Sequence, residues 1–171
     1  MGRWRHMYDG IKYGTEMIRY IPRGDIFKIP GVTSYAHGCN CAGAMGKGIA
    51  LQFRRKFHRM FNEYHSLCVS GNFKPGDVFP YEHAPGSYVY NLATQKHYAI
   101  KGQLAKPEHI RKSVQKMLEH AREHNVTDIA MPKIGAGLGG LVWEDVRNII
   151  EDVASDYPEI NLHIVEEYAP A

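Results

Sequence analysis

Two glycine-rich segments, each directly after a predicted strand, constrain this chain most strongly. The first is Gly43-Ala-Met-Gly-Lys-Gly-Ile-Ala50 and the second is Gly135-Ala-Gly-Leu-Gly-Gly140, and a helical pattern follows each. Strand-to-helix loops of an open α/β sheet bind anions, because the first N–H groups of the helix have no backbone partner. Each loop alone could be a tight turn. Together they predict a site that contacts a diphosphate from two sides.

Strand and helix patterns alternate along the rest of the sequence. Short apolar runs predict strands at Met17–Ile21, Ser34–Gly38, Asp77–Tyr81, Tyr88–Thr94, Asp128–Met131 and Leu162–Val165. Apolar residues spaced by three and four predict one long helix from Gly48 through Cys68, a second from Pro107 to Asn125 and a third from Trp143 to Val153. This alternation predicts a three-layer α/β fold, with a mixed, mostly parallel sheet between helices.

Length and composition fit one soluble domain. The chain has 171 residues, of which 44% are hydrophobic and 23% charged, which is typical of globular domains. Residues 1–14 show no clean period, so we assign them to an N-terminal extension and residues 15–171 to the domain. The three cysteines favour a reducing compartment, and we see neither a signal peptide nor a membrane span. We therefore expect a cytoplasmic monomer.

Neither glycine segment matches a dedicated nucleotide motif. A P-loop has Ser or Thr after its Gly-Lys, but here Lys47 precedes Gly48. A dinucleotide-binding fingerprint needs a third glycine where this chain has Ala50 or Leu51. Phosphoryl transfer and dinucleotide-dependent redox chemistry are both disfavoured.

Several segments together resemble the macrodomains, a family that binds ADP-ribose. Gly24-Asp-Ile26 is similar to the family motif whose carboxylate accepts a hydrogen bond from the adenine amino group. His37-Gly-Cys-Asn-Cys41, followed by Met45-Gly-Lys-Gly-Ile-Ala50, is similar to the first ligand loop, with Asn40 near the distal ribose. The segment from Met131 to Trp143 is similar to the second loop. The resemblance extends from Met17 to Val165 and implies the macrodomain fold.

The resemblance also implies a set of site residues. Ligand binding is expected at Gly24, Asp25, Ile26, Asn40, Gly46, Lys47, Gly48, Ile49, Thr94, Gln95, Ile134, Gly135, Ala136, Gly137, Leu138 and Gly139. The catalytic candidates are His37, Asn40 and Lys96. No cofactor or metal is expected, because His37, Cys39 and Cys41 have no fourth ligand at a metal-binding spacing.

Two of these residues have a simpler structural interpretation. Asp25 could cap a short helix. His37 could be a buried histidine instead of a group that transfers protons.

Three activities compete within this resemblance. The motifs are most similar to terminal ADP-ribose protein glycohydrolases, to antitoxins that reverse DNA ADP-ribosylation and to yeast-type ADP-ribose-1″-phosphate phosphatases. We expect a hydrolase that releases ADP-ribose from a modified protein, nucleic acid or small acceptor. A phosphatase and a non-catalytic ADP-ribose reader are the alternatives.

The chain departs from the first two groups at one position and from the glycohydrolases at a second. Gln95 stands where the glycohydrolases and antitoxins carry a lysine, with Lys96 one place later, and Gly139 aligns with the glycohydrolases' aspartate. Because side chains alternate along a strand, Gln95 and not Lys96 is expected to face the lysine position if the strand continues past Thr94. A covalent lysine mechanism is therefore disfavoured.

A basic cluster at Arg54, Arg55, Lys56 and Arg59 lies on the polar side of the first predicted helix. A solvated helix face is its simplest interpretation, and contact with a nucleic-acid substrate is the alternative.

Overall fold

A seven-stranded sheet forms the centre of the computed structural model, which describes residues 11–13 and 16–171, with side chains from residue 18 onward. The strands lie in the order β1-β2-β7-β6-β3-β5-β4. Their bounds are β1 Ile11–Tyr13, β2 Glu16–Ile21, β3 Ser34–Asn40, β4 Val78–Ala84, β5 Ser87–Gln95, β6 Asp128–Pro132 and β7 Asn161–Val165. The five strands from β2 to β5 in this order run parallel, and β1 and β4 pair antiparallel at the two edges.

Helices cover both faces of the sheet, which confirms the predicted three-layer fold. They are α1 Gly48–Lys56, α2 His58–Val69, α3 Pro107–Glu123 and α4 Trp143–Ala154, with short 3-10 turns at Ile26–Lys28 and Gly137–Gly139. One apolar cluster packs α1 and α2 on one sheet face, and a second packs α3 and α4 on the other. None of the helices in residues 18–171 is both long and apolar enough to cross a membrane.

The prediction of one long helix from Gly48 through Cys68 is wrong, because the helix is interrupted at Phe57. Phe57 has φ −124° and ψ 70°, outside the helical region, and separates α1 from α2. Its ring lies 6.2 Å from the rings of Phe27, Tyr35 and Phe53, measured between centroids. The break therefore accompanies the packing of this ring into an aromatic cluster.

Two predicted boundaries also change. β3 continues two residues beyond Gly38, so that Asn40 is its last residue instead of a turn residue. Ile11–Tyr13, assigned above to the extension, pairs antiparallel with β2 as an edge strand. The rest of that extension, residues 1–10 and 14, lies outside the described residues.

His37 lies inside the protein, on the sheet face that α1 covers. Its side chain has no exposed area, and its ring stacks on Phe53 with centroids 4.1 Å apart. Nε2 makes a 2.7 Å hydrogen bond with Asn91 Oδ1. Burial disfavours the imidazolium and lowers the pKa of His37 to about 4.

This buried imidazole predicts acid-sensitive stability. In the unfolded chain the pKa of His37 returns to about 6.5, so the unfolded state binds the proton first as the pH falls. Stability should fall by about 3 kcal/mol between pH 6.5 and pH 4 through this group alone. Urea unfolding from pH 7.5 to pH 4 measures the loss.

A His37→Gln variant is the control, because a glutamine amide can still bond to Asn91 but does not titrate in this range. Its stability should fall by about 3 kcal/mol less than that of the wild type over the same interval. Parallel curves for the two proteins would show that His37 is not held neutral by burial.

Candidate functional site

A crevice opens between β3 and β6, at the carboxyl ends of these neighbouring parallel strands. After β3 the chain passes to α1 on one face of the sheet, and after β6 it passes to α4 on the opposite face. Because the two connections diverge, neither of them covers the strand ends between them, and such a point is where open α/β sheets bind ligands. Both glycine-rich segments lie at this point, as predicted.

The first glycine loop, residues 41–48, is held by Asn40, the last residue of β3. Asn40 Oδ1 accepts hydrogen bonds from the backbone N–H groups of Ala42 and Ala44 and from Tyr64 Oη, and Nδ2 donates to the Ala44 carbonyl at 2.8 Å. Tyr64 Oη lies 2.7 Å from the Asn40 carbonyl oxygen as well. These bonds fix the loop against α2.

Downstream of this anchor, the loop presents free backbone donors. Within residues 18–171, the N–H groups of Gly46, Lys47, Gly48 and Ile49 donate to no protein acceptor. Lys47, the residue before α1, makes no side-chain capping bond. The start of α1 therefore combines unpaired donors with the positive end of the helix dipole, which favours an anion.

The second glycine loop, residues 135–140, offers a similar set of donors. Ala136, Gly137 and Leu138 likewise have N–H groups without a protein acceptor in the described part of the chain. Gly135 has φ +72°, and a Cβ added there would lie 2.5 Å from Ile110 Cδ1, so glycine is required at this position.

The two loops meet across the crevice. A Cβ added to Gly48 would lie 3.8 Å from Leu138 Cδ1, and the Leu138 side chain is 66% exposed. Donors of both loops therefore border the same crevice.

The predicted binding positions follow one another along this edge of the sheet. Asp25 follows β2, the second loop follows β6, the first loop follows β3, and Gln95 ends β5. Four strand spacings separate β2 from β5, a distance of about 19 Å. A carboxylate, two clusters of backbone donors and an amide thus lie in line.

Asp25 caps the 3-10 turn, which confirms the structural alternative for this residue. Oδ1 accepts from Phe27 N at 2.9 Å, and Oδ2 accepts from Ala171 N at 3.0 Å. The adenine contact of Asp25 and its neighbours Gly24 and Ile26 stays a prediction, and Ile26 is almost fully buried.

Residues 166–171 support the Asp25 end of the site. Gly24 N donates to the Glu167 carbonyl at 3.0 Å and the Gly24 carbonyl accepts from Ala169 N at 2.9 Å. Trp143 Nε1, at the start of α4, donates to Glu166 Oε2 at 3.0 Å.

At the opposite end, Gln95 faces Gly139. The register of β5 against β3 skips Thr94, which interrupts the alternation of side chains here. That Gln95 occupies the lysine position therefore stays a prediction. β5 continues through Gln95, whose Oε1 would lie 3.5 Å from a Cβ on Gly139. Gln95 is 9% exposed and its neighbour Thr94 is buried, whereas Lys96 is exposed. The positions aligned with the glycohydrolases' lysine and aspartate are therefore adjacent here, but neither residue titrates.

The catalytic role predicted for His37 does not fit its position, and Asn40 is occupied by bonds to the first loop and to Tyr64. His37 has no exposed area and lies in the core beneath α1, so it cannot exchange a proton with a ligand in the crevice. Asn40 is 7% exposed and its Oδ1 already accepts from three donors. Asn40 shapes the first loop, and its contact with ribose hydroxyls stays a prediction.

The nearby thiols are weak nucleophiles. Burial raises the pKa of Cys41 to about 12, and burial also raises the pKa of Cys39 and of Cys68. All three are thiols at neutral pH, and the thiolate is the reactive form.

Sequence reasoning missed two contributors. Tyr64 holds Asn40, but its place on an apolar helix stripe suggested only core packing. The loop of residues 96–106 borders Gly139, where Ala105 N donates to the Gly139 carbonyl at 3.2 Å. Its only signal was its position directly after β5.

The basic cluster lies toward the Asp25 end of the site. Lys56 Nζ is 5.2 Å from the ring centroid of Phe27, which follows Asp25 by two residues. Arg54 stacks on Phe61 at 3.9 Å, while Arg55 and Arg59 are exposed. Contact of this cluster with nucleic acid stays a prediction.

Comparison with known proteins agrees with this geometry. The DNA ADP-ribosyl glycohydrolase of Thermus aquaticus is 30% identical over 153 residues, which cover 88% of this chain and 41% of that protein. The ADP-ribose glycohydrolase OARD1 of Bos taurus is 36% identical over 136 residues, which cover 80% of this chain and 83% of that protein. The chain thus spans about two fifths of the Thermus relative.

A solved structure and a family model are also similar to this chain. The macrodomain of Mycobacterium tuberculosis DarG has a TM-score of 0.78 and 31% identity, covering 91% of this chain and 99% of that chain. The family model described as Macro domain matches residues 36–150, which include both glycine loops, all of β6 and most of β3. The chain therefore belongs to the macrodomain family.

Proposed function

We propose that this macrodomain binds ADP-ribose along the carboxyl edge of its sheet and hydrolyses the bond between ADP-ribose and an acceptor. The order of the positions along the edge supports this proposal most directly. Asp25 can accept from an adenine amino group, the two glycine loops can donate to the diphosphate, and Gln95 lies where the distal ribose would end. Two relatives named as ADP-ribosyl or ADP-ribose glycohydrolases support the hydrolytic activity.

The proposed reaction proceeds without a lysine adduct. Water adds to the anomeric carbon of the distal ribose, the bond to the acceptor breaks, and the acceptor leaves with a proton. Gln95 is the polar side chain that faces Gly139 at this end, and its amide can bind water and a ribose hydroxyl at once. Its contribution is positioning instead of proton transfer.

A non-catalytic reader is the second candidate function, and one observation favours it. The Gln95–Gly139 pair supplies no titratable group where the glycohydrolases place lysine and aspartate. Release of ADP-ribose from modified protein, modified DNA and ADP-ribose-1″-phosphate separates hydrolase, phosphatase and reader, since a reader binds ADP-ribose and releases nothing. The cytoplasmic location and monomeric state expected from the sequence stay predictions.

Gly46→Glu should weaken ADP-ribose binding about 100-fold. A Cβ at Gly46 meets no atom within 4 Å, so the side chain can be added without strain, but it brings a negative charge to the diphosphate. Two like charges about 6 Å apart repel by about 3 kcal/mol at an effective dielectric of 20, or about 100-fold in affinity. Calorimetric titration with ADP-ribose measures the loss.

Gly46→Ala is the matched control and should bind ADP-ribose within a few-fold of the wild type. Equal binding by a folded Gly46→Glu variant would place the diphosphate away from the first loop.

Gln95→Ala should slow single-turnover release of ADP-ribose about 10- to 100-fold, because loss of a positioning contact costs that order of rate. Affinity for free ADP-ribose should change only a few-fold. Lys96→Ala is the matched control and should release at nearly the wild-type rate, since Lys96 is exposed.

A Gln95→Lys variant should form an adduct with ADP-ribose that borohydride traps, while the wild type should not. An adduct at Lys96 of the wild type, together with an inactive Lys96→Ala variant, would contradict the proposed mechanism.

A further inference from the structure

We propose that the loop of residues 96–106, here called the acceptor loop, binds single-stranded nucleic acid beside the Gln95 end of the site. This inference rests on the proposed function, since the strand bound there would be the acceptor that carries ADP-ribose. The basic cluster on α1 lies at the other end of the site, as its contact with Phe27 shows.

The acceptor loop spans the gap between the two glycine loops. At its start, Cys41 N donates to the Lys96 carbonyl at 3.2 Å, which ties it to the first loop. At its end, Ala105 N donates to the Gly139 carbonyl at 3.2 Å, which ties it to the second. A group attached to the distal ribose would leave the site past these eleven residues.

Internal hydrogen bonds hold the loop in one shape. His97 N donates to the Gln103 carbonyl at 2.8 Å and Gln103 N donates to the Ile100 carbonyl at 3.0 Å. The His97 ring accepts at Nδ1 from Ala99 N at 3.0 Å and from Ile100 N at 3.3 Å. A binding surface on this loop is therefore preorganised, which lowers the entropic cost of binding.

Two large side chains of the acceptor loop are exposed to solvent. Tyr98 is 52% exposed and Ile100 is 45% exposed. The Tyr98 ring stacks on His97 with centroids 4.2 Å apart and planes at 23°, which fixes its orientation. A fixed, half-exposed aromatic ring is the platform on which unpaired bases stack.

The charge of the loop is positive only. Lys101 and Lys106 are exposed, and neither takes part in an ion pair within residues 18–171. No aspartate or glutamate occurs between Glu82 and Glu108. Unneutralised lysines beside a stacking ring suit a phosphate backbone with unstacked bases, whereas a peptide acceptor would need neither feature.

The test measures the binding of a labelled oligothymidylate of about twelve nucleotides by fluorescence anisotropy, at low salt and without ADP-ribose. Tyr98→Ala should weaken binding about 5- to 150-fold, the range for loss of one stacked base, and Tyr98→Phe should stay within a few-fold. Lys101→Gln should reduce the salt dependence of log K by about 0.7, as expected for one lost phosphate contact. Arg55 is an exposed cation of the basic cluster on α1. Arg55→Gln should change neither the affinity for the oligonucleotide nor its salt dependence.

Three results would overturn the proposal. They are the absence of oligonucleotide binding, equal binding by Tyr98→Ala and wild type, and a loss confined to Arg55→Gln. Slower release from an ADP-ribosylated peptide by Tyr98→Ala, with oligonucleotide binding intact, would also overturn it and indicate a protein acceptor.

A failure of the proposed function can be distinguished from a failure of this inference. Tyr98→Ala should bind free ADP-ribose normally in calorimetry, and Gly46→Glu should bind the oligonucleotide normally. If the wild type bound no ADP-ribose while Tyr98 still controlled oligonucleotide affinity, only the proposed function would be wrong.

Discussion

The divergence of the chain after two neighbouring parallel strands determines the rest of the site. β3 and β6 lie side by side, yet their following helices cover opposite faces of the sheet. Neither of these two connections covers the strand ends between them, and Gly46, Gly48 and Gly137 of the two glycine loops are exposed. The other features of the site are positioned relative to this opening, because Asp25 follows β2 on one side of it and Gln95 ends β5 on the other.

Keeping backbone donors free in this opening requires support from elsewhere. An unpaired N–H group is costly when it is buried away from water. Here Asn40 and Tyr64 satisfy the buried part of the first loop and leave its outer donors in the crevice. In the second loop, Gly135 allows the chain to turn against Ile110, where a side chain would collide. Contacts on the buried side of the two loops thus leave the backbone donors on their exposed side unpaired.

Local sequence signals predicted the elements, but long-range contacts decided the roles of several residues. Pro107 starts α3 as expected, since a helix start depends on neighbouring residues alone. The break at Phe57 depends on rings from Phe27 and Tyr35. His37 is paired with Asn91, 54 residues away, so its burial could not be deduced from the sequence around it.

The two halves of the site differ in what holds them. At the Gln95 end, the side chain belongs to β5, which pairs with β3 on one side and with β4 on the other. At the Asp25 end, residues 166–171 supply the pairing, and Trp143 links them to the helix that follows the second loop. A ligand that binds at the Gln95 end therefore needs no ordering of the chain beyond the folded sheet. The second half is braced by one short segment, so its geometry depends on contacts made outside the sheet.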